Sequence, residues 1–263
     1  MSETKIQEYD DKLMALLEAI WGEGFMSPGG TAEVDRYLDG IDLNGQSVLD
    51  IGCGLGGVDL HLAREHGAAS VIGIDIDMAL IQRCEQLAEK YQTTEQLEFR
   101  CVEPGPLPFK AASFNIVTSK DSIIHITDKH ALAGDIFRIL EPGGWFAASD
   151  WLAGYEDQPS AEMQAYIHAE GLDFNLASAS IYADALQASG FVDIGITDRN
   201  EWYQQQARVE RGQLAGALSE GLASQLGNDF LEHQIDIWDK MIVALDQGQL
   251  RPTHLRARKP LST

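Results

Sequence analysis

Apolar positions recur along this chain at two different periods, and the change of period divides it. Residues 3–20 carry Ile6, Leu13, Leu16, Leu17 and Ile20 near helical spacing, which predicts an N-terminal amphipathic helix. The helix must stop before Trp21-Gly22-Glu23-Gly24-Phe25-Met26-Ser27-Pro28-Gly29-Gly30, whose glycines and proline break any regular element. From about Gln46, short β-branched runs alternate with helical periods. Strands are predicted over 47–51, 70–74, 97–102, 114–118 and 145–149, with helices running to His66, to Tyr91 and over 131–140. Strands alternating with helices imply right-handed crossovers and a parallel sheet covered on both faces. The fold expected is therefore α/β and doubly wound.

Beyond Trp151 the pattern loosens. Residues 151–180 read as a helical insertion, 182–189 as a helix stopped by Gly190, and 191–196 as a strand. Residues 202–247 read as mostly helical, and 250–259 as a last edge strand with Pro252 near its start. Three segments result: a helix and lid over 1–30, an α/β core over 31–150, and helical insertions with the remaining strands of the same domain over 151–263.

Composition narrows the function. With 19 Lys and Arg against 41 Asp and Glu among 263 residues, the net charge is −22, which repels phosphate backbones and anionic lipid. Nucleic acid and membrane surfaces are thus poor partners, and a small molecule is expected. No apolar run approaches the roughly 20 residues that span a bilayer, and the polar, acidic start is unlike a secretory leader. Cys53, Cys84 and Cys101 lie far apart with no CxxC pair, which suggests a reducing, cytoplasmic setting. No metal site is expected, because His61 and His66 stand five apart without an acid or thiol at ligand spacing. The chain is expected to be a monomer or a homodimer.

The densest chemical signal is Val48-Leu49-Asp50-Ile51-Gly52-Cys53-Gly54-Leu55-Gly56-Gly57, an apolar strand ending at an acid and entering a glycine-rich turn that opens a helix. Glycine lets the backbone turn tightly and a cofactor approach without a Cβ in the way. Gly52, Gly54 and Gly57 also satisfy the dinucleotide GxGxxG spacing, so a nicotinamide enzyme has to be considered. Asp50 tips the balance. A carboxylate two residues before the first glycine suits the α-amino group of S-adenosylmethionine and would repel a pyrophosphate. Asp75 closes the second strand where an acid can accept both ribose hydroxyls, and Asp77 suits the N-cap of the next helix. Glu103, beside Val102 past the third strand, can accept from an adenine amino group, although a solvated loop carboxylate explains it nearly as well.

The fourth strand runs into Thr118-Ser119-Lys120-Asp121-Ser122-Ile123-Ile124-His125-Ile126. One helical turn between Asp121 and His125 would bring both to the cofactor side. A neutral imidazole can take a proton from a substrate ammonium that a carboxylate holds. The aromatics Tyr9, Trp21, Phe25, Trp151, Tyr155, Phe174, Trp202 and Tyr203 are candidates for a cage around a methylated ammonium, with core or lid packing as the equal alternative for each.

The Asp50–Gly57 run, Gly73-Ile74-Asp75-Ile76, the Ser119–Ile126 segment and Leu140-Glu141-Pro142-Gly143-Gly144 resemble the class I S-adenosylmethionine-dependent methyltransferases. Within these, the 22–30 segment and the Asp121–His125 stretch resemble the phosphoethanolamine N-methyltransferases, most closely over residues 9–150. The resemblance implies a Rossmann-like fold with a seven-stranded, mostly parallel sheet, and S-adenosylmethionine as cofactor. It places Gly52, Asp75 and Ile76 at cofactor-contacting positions, Ser27 in the lid, and Glu103 where an adenine-contacting Asp is usual. It places Asp121 on the substrate ammonium, and Tyr9 with His125 as a pair that latches the lid and assists proton removal. Gly22, Gly24, Gly29 and Gly30 are the candidate lid hinges.

The departures bear on the acceptor. Leu17, Trp151 and Phe174 stand where the family has tyrosines, and no Lys or Arg occurs between Arg138 and Arg199. A buried phosphate would lack a charge partner there. The reading is an N-methyltransferase of a small amine or amino acid, such as a sarcosine-, dimethylglycine- or ethanolamine-type acceptor. Its rivals are O-, S- or C-methylation of another small molecule and a non-catalytic S-adenosylmethionine-binding protein.

Overall fold

The computed structural model describes residues 10–171 and 174–261. Its centre is one seven-stranded sheet of order β3-β2-β1-β4-β5-β7-β6. The strands are β1 (Ser47–Ile51), β2 (Ser70–Asp75), β3 (Leu97–Cys101), β4 (Phe114–Lys120), β5 (Leu140–Ala153), β6 (Val192–Asp198) and β7 (Leu250–Arg258). The first five run parallel, and β7 pairs antiparallel with both β5 and β6. The helices are α1 (Asp11–Trp21), α2 (Gly30–Tyr37), α3 (Gly57–Arg64), α4 (Met78–Tyr91), α5 (Lys129–Ile139), α6 (Ala161–Glu170), α7 (Ala179–Ala188), α8 (Asn200–Leu214), α9 (Ser219–Leu226) and α10 (Asn228–Asp246).

The period-2 alternation of each strand splits the core between two faces. Val48 of β1 packs with Val34, Tyr37, Val58 and Leu62 of α2 and α3. Its neighbour Leu49 turns to the other face, with Ile136 of α5 and Leu186 of α7. A third apolar cluster joins Leu16 and Leu17 of α1 to α6, α8, α9 and α10. Local capping follows the sequence: Asp10, Asp77 and Asp128 accept backbone N–H groups at the starts of α1, α4 and α5.

Two strand expectations need correction. The last strand is not at the edge, because β6 lies outside it. Pro252 is tolerated there because its carbonyl faces the β6 side, where it accepts from Arg199 N–H, and that ladder has already ended at Asp198↔Thr253. The Glu141–Gly144 turn is drawn into β5 as an irregular start, with the register jumping from Phe114↔Leu140 to Ile116↔Trp145. The helix expected over residues 3–20 begins at Asp11, with Asp10 as its extended N-cap, and runs on through Trp21; residues 3–9 lie outside the described residues. Helix α2, which the patterning did not single out, begins directly after the glycines of the 22–30 segment.

Candidate active site

Strand order reverses between β1 and β4, and the carboxyl ends of these two strands open the crevice where doubly wound sheets bind ligands. After β1 the chain turns through Gly52, Gly54 and Gly56, at φ of 74°, 55° and 82°, a region costly for any residue with a Cβ. A Cβ on Gly52 would lie 1.7 Å from Ser122 Oγ, so the two loops approach as closely as backbone allows. The Gly52 and Cys53 N–H groups both reach Ile74 O of β2, at 2.8 and 3.0 Å.

Asp75 ends β2 beside this turn. Its Oδ2 accepts from Gly54 N–H at 3.1 Å and its Oδ1 from Asp77 N–H at 3.0 Å. Burial raises its carboxyl above the ordinary value, against those backbone donors. Ile76 is 56% exposed next to it, an apolar surface at the mouth of the crevice. Val102 is half-buried, with its N–H on Asp75 O, while Glu103 is exposed.

Asp50 lies under the turn, 1% exposed. Its Oδ1 finds no donor, nor does either carboxylate oxygen of Asp59 on α3. Burial and the nearby Asp59 push its carboxyl well above the usual range. A cation arriving here would find acceptors waiting.

The expected helical turn after β4 takes a different form. Asp121 adopts a left-handed conformation, φ 56°, and a single 3-10 turn, Ile123–His125, follows. The turn is tied from several sides. Lys129 Nζ donates to the carbonyls of Ile123 and Ile126 at 2.8 and 2.5 Å, Asp150 Oδ1 accepts from Ile124 N–H at 3.1 Å, and Asn175 Nδ2 donates to His125 O at 3.1 Å. Burial lowers the Lys129 ammonium to about 8 and raises Asp150 to about 7. Asp121 is held just as firmly, its Oδ1 by Ser149 Oγ at 2.9 Å and its Oδ2 by Lys120 Nζ at 2.7 Å.

Asp121 and His125 open onto one cavity of about 90 Å³. Ser27 from the lid segment lines it, as do Trp21, Trp151, Phe174 and Tyr203 from the expected cage. The ring of His125 lies 6.0 Å from that of Phe174. Phe25 and Trp202 line a separate cleft, and Tyr155 packs into the helical core. Tyr9 lies outside the described residues. The four lid glycines, Gly22, Gly24, Gly29 and Gly30, all have positive φ.

Several functional residues escaped the sequence reading. Lys120 is a buried lysine whose Nζ also donates to Ser27 Oγ at 2.9 Å and Pro28 O at 2.8 Å, joining the lid to the end of β4. The adjacent opposite charges of Lys120 and Asp121 at a strand end were its signal. Glu170, at the end of α6, faces the cavity, and burial raises its carboxyl to about 7. Gln234, Ile237, Trp238 and Met241 enter from one stripe of α10. Glu210 of α8 is wholly buried and gathers the Trp21 and Trp238 indole N–H groups and the Tyr203 hydroxyl, at 2.9, 3.3 and 3.0 Å, fixing three cavity rings at once. No Lys or Arg lines the cavity among the described residues. Arg208, Arg211 and Lys240 are engaged by Asp246, Asp239 and Asp236.

Comparison with known proteins points to methyltransferases. A methyltransferase-domain family model matches residues 48–144, from β1 through the Glu141–Gly144 turn. Phosphoethanolamine N-methyltransferase of Triticum aestivum is 30% identical over 235 residues, 89% of this chain and 45% of that protein. The chain thus spans less than half the length of the first curated relatives it matches. Phosphoethanolamine N-methyltransferase 2 of Haemonchus contortus, solved with phosphomonomethylethanolamine and S-adenosylhomocysteine, superposes at TM-score 0.87 and 24% identity over 97% of this chain and 59% of that one. A structure described as a putative sarcosine dimethylglycine methyltransferase from Galdieria sulphuraria superposes at 0.80 and 18% identity, over 96% of this chain and 98% of that one. At such identities these two likenesses concern the fold.

Proposed function

We propose, for a chain that has the class I methyltransferase fold and resembles the phosphoethanolamine N-methyltransferases, that it transfers the methyl group of S-adenosylmethionine to the nitrogen of a small amine bearing no phosphate. The observation that carries this reading is the cavity at the end of β4. It presents two carboxylates, Asp121 and Glu170, an imidazole, His125, and a ring of aromatics, with no cation among its described lining residues. A buried phosphate dianion would go unpaired there at great cost. An ammonium would instead meet carboxylates and aromatic rings. Of the acceptors left open by the sequence, those without a carboxylate of their own suit it best.

The residues around the glycine turn fit the cofactor. Asp50, with an unsatisfied buried oxygen, would take the amino group, and Gly52 and Gly54 leave room for the chain to approach. Asp75 would take the ribose hydroxyls, with Ile76 and Val102 flanking the adenine and Glu103 within its reach in sequence. Once bound, this group supplies an electrophilic methyl on a sulfonium.

The protein's own task is placement and proton removal. Positioning at near-attack geometry removes roughly 7–11 kcal/mol of barrier in favourable cases. An ammonium has no lone pair, so His125 takes one proton, with Tyr9 as its partner by resemblance, while Asp121 orients the cation. Ser27 and the 22–30 segment close over the cavity and keep water out.

The test is methyl transfer from labelled cofactor to a panel of ethanolamine-type amines, phosphoethanolamine, sarcosine, dimethylglycine, phenols and thiols. Label should appear on the nitrogen of an unphosphorylated amine, with phosphoethanolamine a poor acceptor. Turnover confined to phosphoethanolamine, to a phenol or to a thiol would refute the reading. Tight cofactor binding without any product would leave the non-catalytic binder.

A further inference from the structure

We propose that Asp35, His61 and His66 form a binding site for a divalent transition-metal ion of the zinc class, separate from the cavity described above. The sequence holds no ligand pattern for such a site, since His61 and His66 stand five apart without an acid or thiol at ligand spacing. The fold supplies one. Asp35 arrives from α2, His61 from α3 and His66 from the turn that follows α3.

The geometry is already convergent. His61 Nε2 lies 2.6 Å, and His66 Nε2 2.8 Å, from the same oxygen, Asp35 Oδ1. The donor atoms of all three residues lie within 4.8 Å of one another. A tetrahedral zinc ion with ligands at about 2.0–2.2 Å sets its donors roughly 3.3 Å apart. Widening the two His–Asp separations by well under about 1 Å each would match that spacing. The two rings meet edge-on, 4.9 Å apart at 81°, and both turn Nε2 towards Asp35.

The chemistry agrees with the geometry. Two imidazoles and a carboxylate are a three-ligand set for zinc, leaving one position for water. Burial raises the Asp35 carboxyl, but the hydrogen bonds from His61 and His66 outweigh it, so the acid stays below its usual value and ionised. Both ring nitrogens already converge on one carboxylate oxygen, so a single ion placed between them would take the place of both hydrogen bonds. The imidazoles are mostly sheltered, at 10% and 26% side-chain exposure, while Asp35 at 52% leaves an open side for the ion and its water. A net charge of −22 raises the local concentration of any divalent cation.

Such an ion would act as a staple. Helix α3 opens from the glycine turn, and α2 begins where the lid segment ends. Pinning one to the other would stabilise the folded chain and steady the lid's far anchor.

The full chain, stripped with a chelator, should be titrated with Zn²⁺ by calorimetry and with Co²⁺ by visible absorption. The expected result is one ion per chain at micromolar affinity, tetrahedral Co²⁺ bands, and a melting temperature raised by about 5 °C at saturating Zn²⁺. His61→Gln, His66→Gln and Asp35→Asn should each weaken binding at least about tenfold, while Cys101→Ser, a control for the exposed thiol, should bind normally. Binding no tighter than millimolar, binding undiminished in the three variants, or binding lost only in Cys101→Ser would each overturn the proposal. None of these readouts depends on which acceptor the protein methylates.

Discussion

The ammonium of Lys120 donates to the Ser27 hydroxyl at 2.9 Å while its own neighbour, Asp121, accepts from it at 2.7 Å. One buried charge therefore ties the 22–30 segment to the end of β4 and compensates the carboxylate proposed to orient the acceptor. Side-chain exposures of 2% and 4% leave neither member of the Lys120–Asp121 pair an alternative partner in water. Lys120→Met should destabilise the chain by roughly 3–5 kcal/mol, because it strands a buried carboxylate. Adding Asp121→Asn should recover part of that loss. Urea unfolding of both singles and the double variant measures the coupling, and strictly additive effects would show that the pair is not one unit.

His125 can be tested apart from cofactor binding, since it stands on the β4 side of the crevice. His125→Ala should lower turnover by about 10²–10⁴ while cofactor affinity, read by calorimetry, stays within a few-fold. Its deficit should shrink at high pH, where more of the acceptor arrives already deprotonated. A deficit independent of pH would assign His125 to packing against Phe174 instead.

Glu170 gives the cavity a pH-dependent grip. Burial raises its carboxyl to about 7, so its charge is lost as pH falls through neutrality. KM for a cationic acceptor should fall as pH rises through about 7, and Glu170→Gln should flatten that change and raise KM about tenfold at pH 8. The sign for stability is the reverse. A carboxyl whose folded value is raised contributes most below its unfolded value and loses that contribution as pH rises past 7. Glu170→Gln should therefore gain stability above pH 7, a change read by thermal melting.

The sheet and the glycine turn at its carboxyl edge were legible because their signals are local. Asp50, the Gly52–Gly57 turn and Asp75 are fixed by strand–turn–helix grammar, and the capping role of Asp77 needed only its own helix. The cavity at the end of β4 was legible only in part. Its walls come from α1, β5, α6, α8 and α10, which meet through tertiary packing. The stripe Gln234, Ile237, Trp238 and Met241 has plain helical period, yet period cannot tell a core face from a cavity wall. Glu170 has no motif, and Asp35 reaches the two histidines only because α2 packs on α3. The misplaced edge strand has the same origin: tertiary pairing puts β6 outside β7, and β6 stops before the missing N–H of Pro252 matters.

Glu33 predicts how the assembled fold fails in acid. It stands on α2, 3% exposed, and accepts from Arg199 Nε and Nη2 at 2.8 and 3.1 Å and from His254 Nε2 at 2.7 Å. It thus ties the helix after the lid to β7 and to the residue before α8. Burial alone would raise its carboxyl, but these partners outweigh burial and hold it at about 2, against an ordinary 4.5. A carboxyl lowered on folding contributes fully above its unfolded value and loses that contribution as pH falls from about 4.5 towards 2. The shift corresponds to roughly 3 kcal/mol, at about 1.4 kcal/mol per unit. Glu33→Gln should therefore be less stable than the native chain at pH 7, with the gap narrowing steadily below pH 4.5 as the unfolded chain's carboxylate takes up a proton that the folded one does not. Urea midpoints measured for both chains between pH 7 and pH 3 decide it. Curves that run parallel to the lowest pH would mean that the charge on Glu33 holds nothing together, and that its contacts act only by shape.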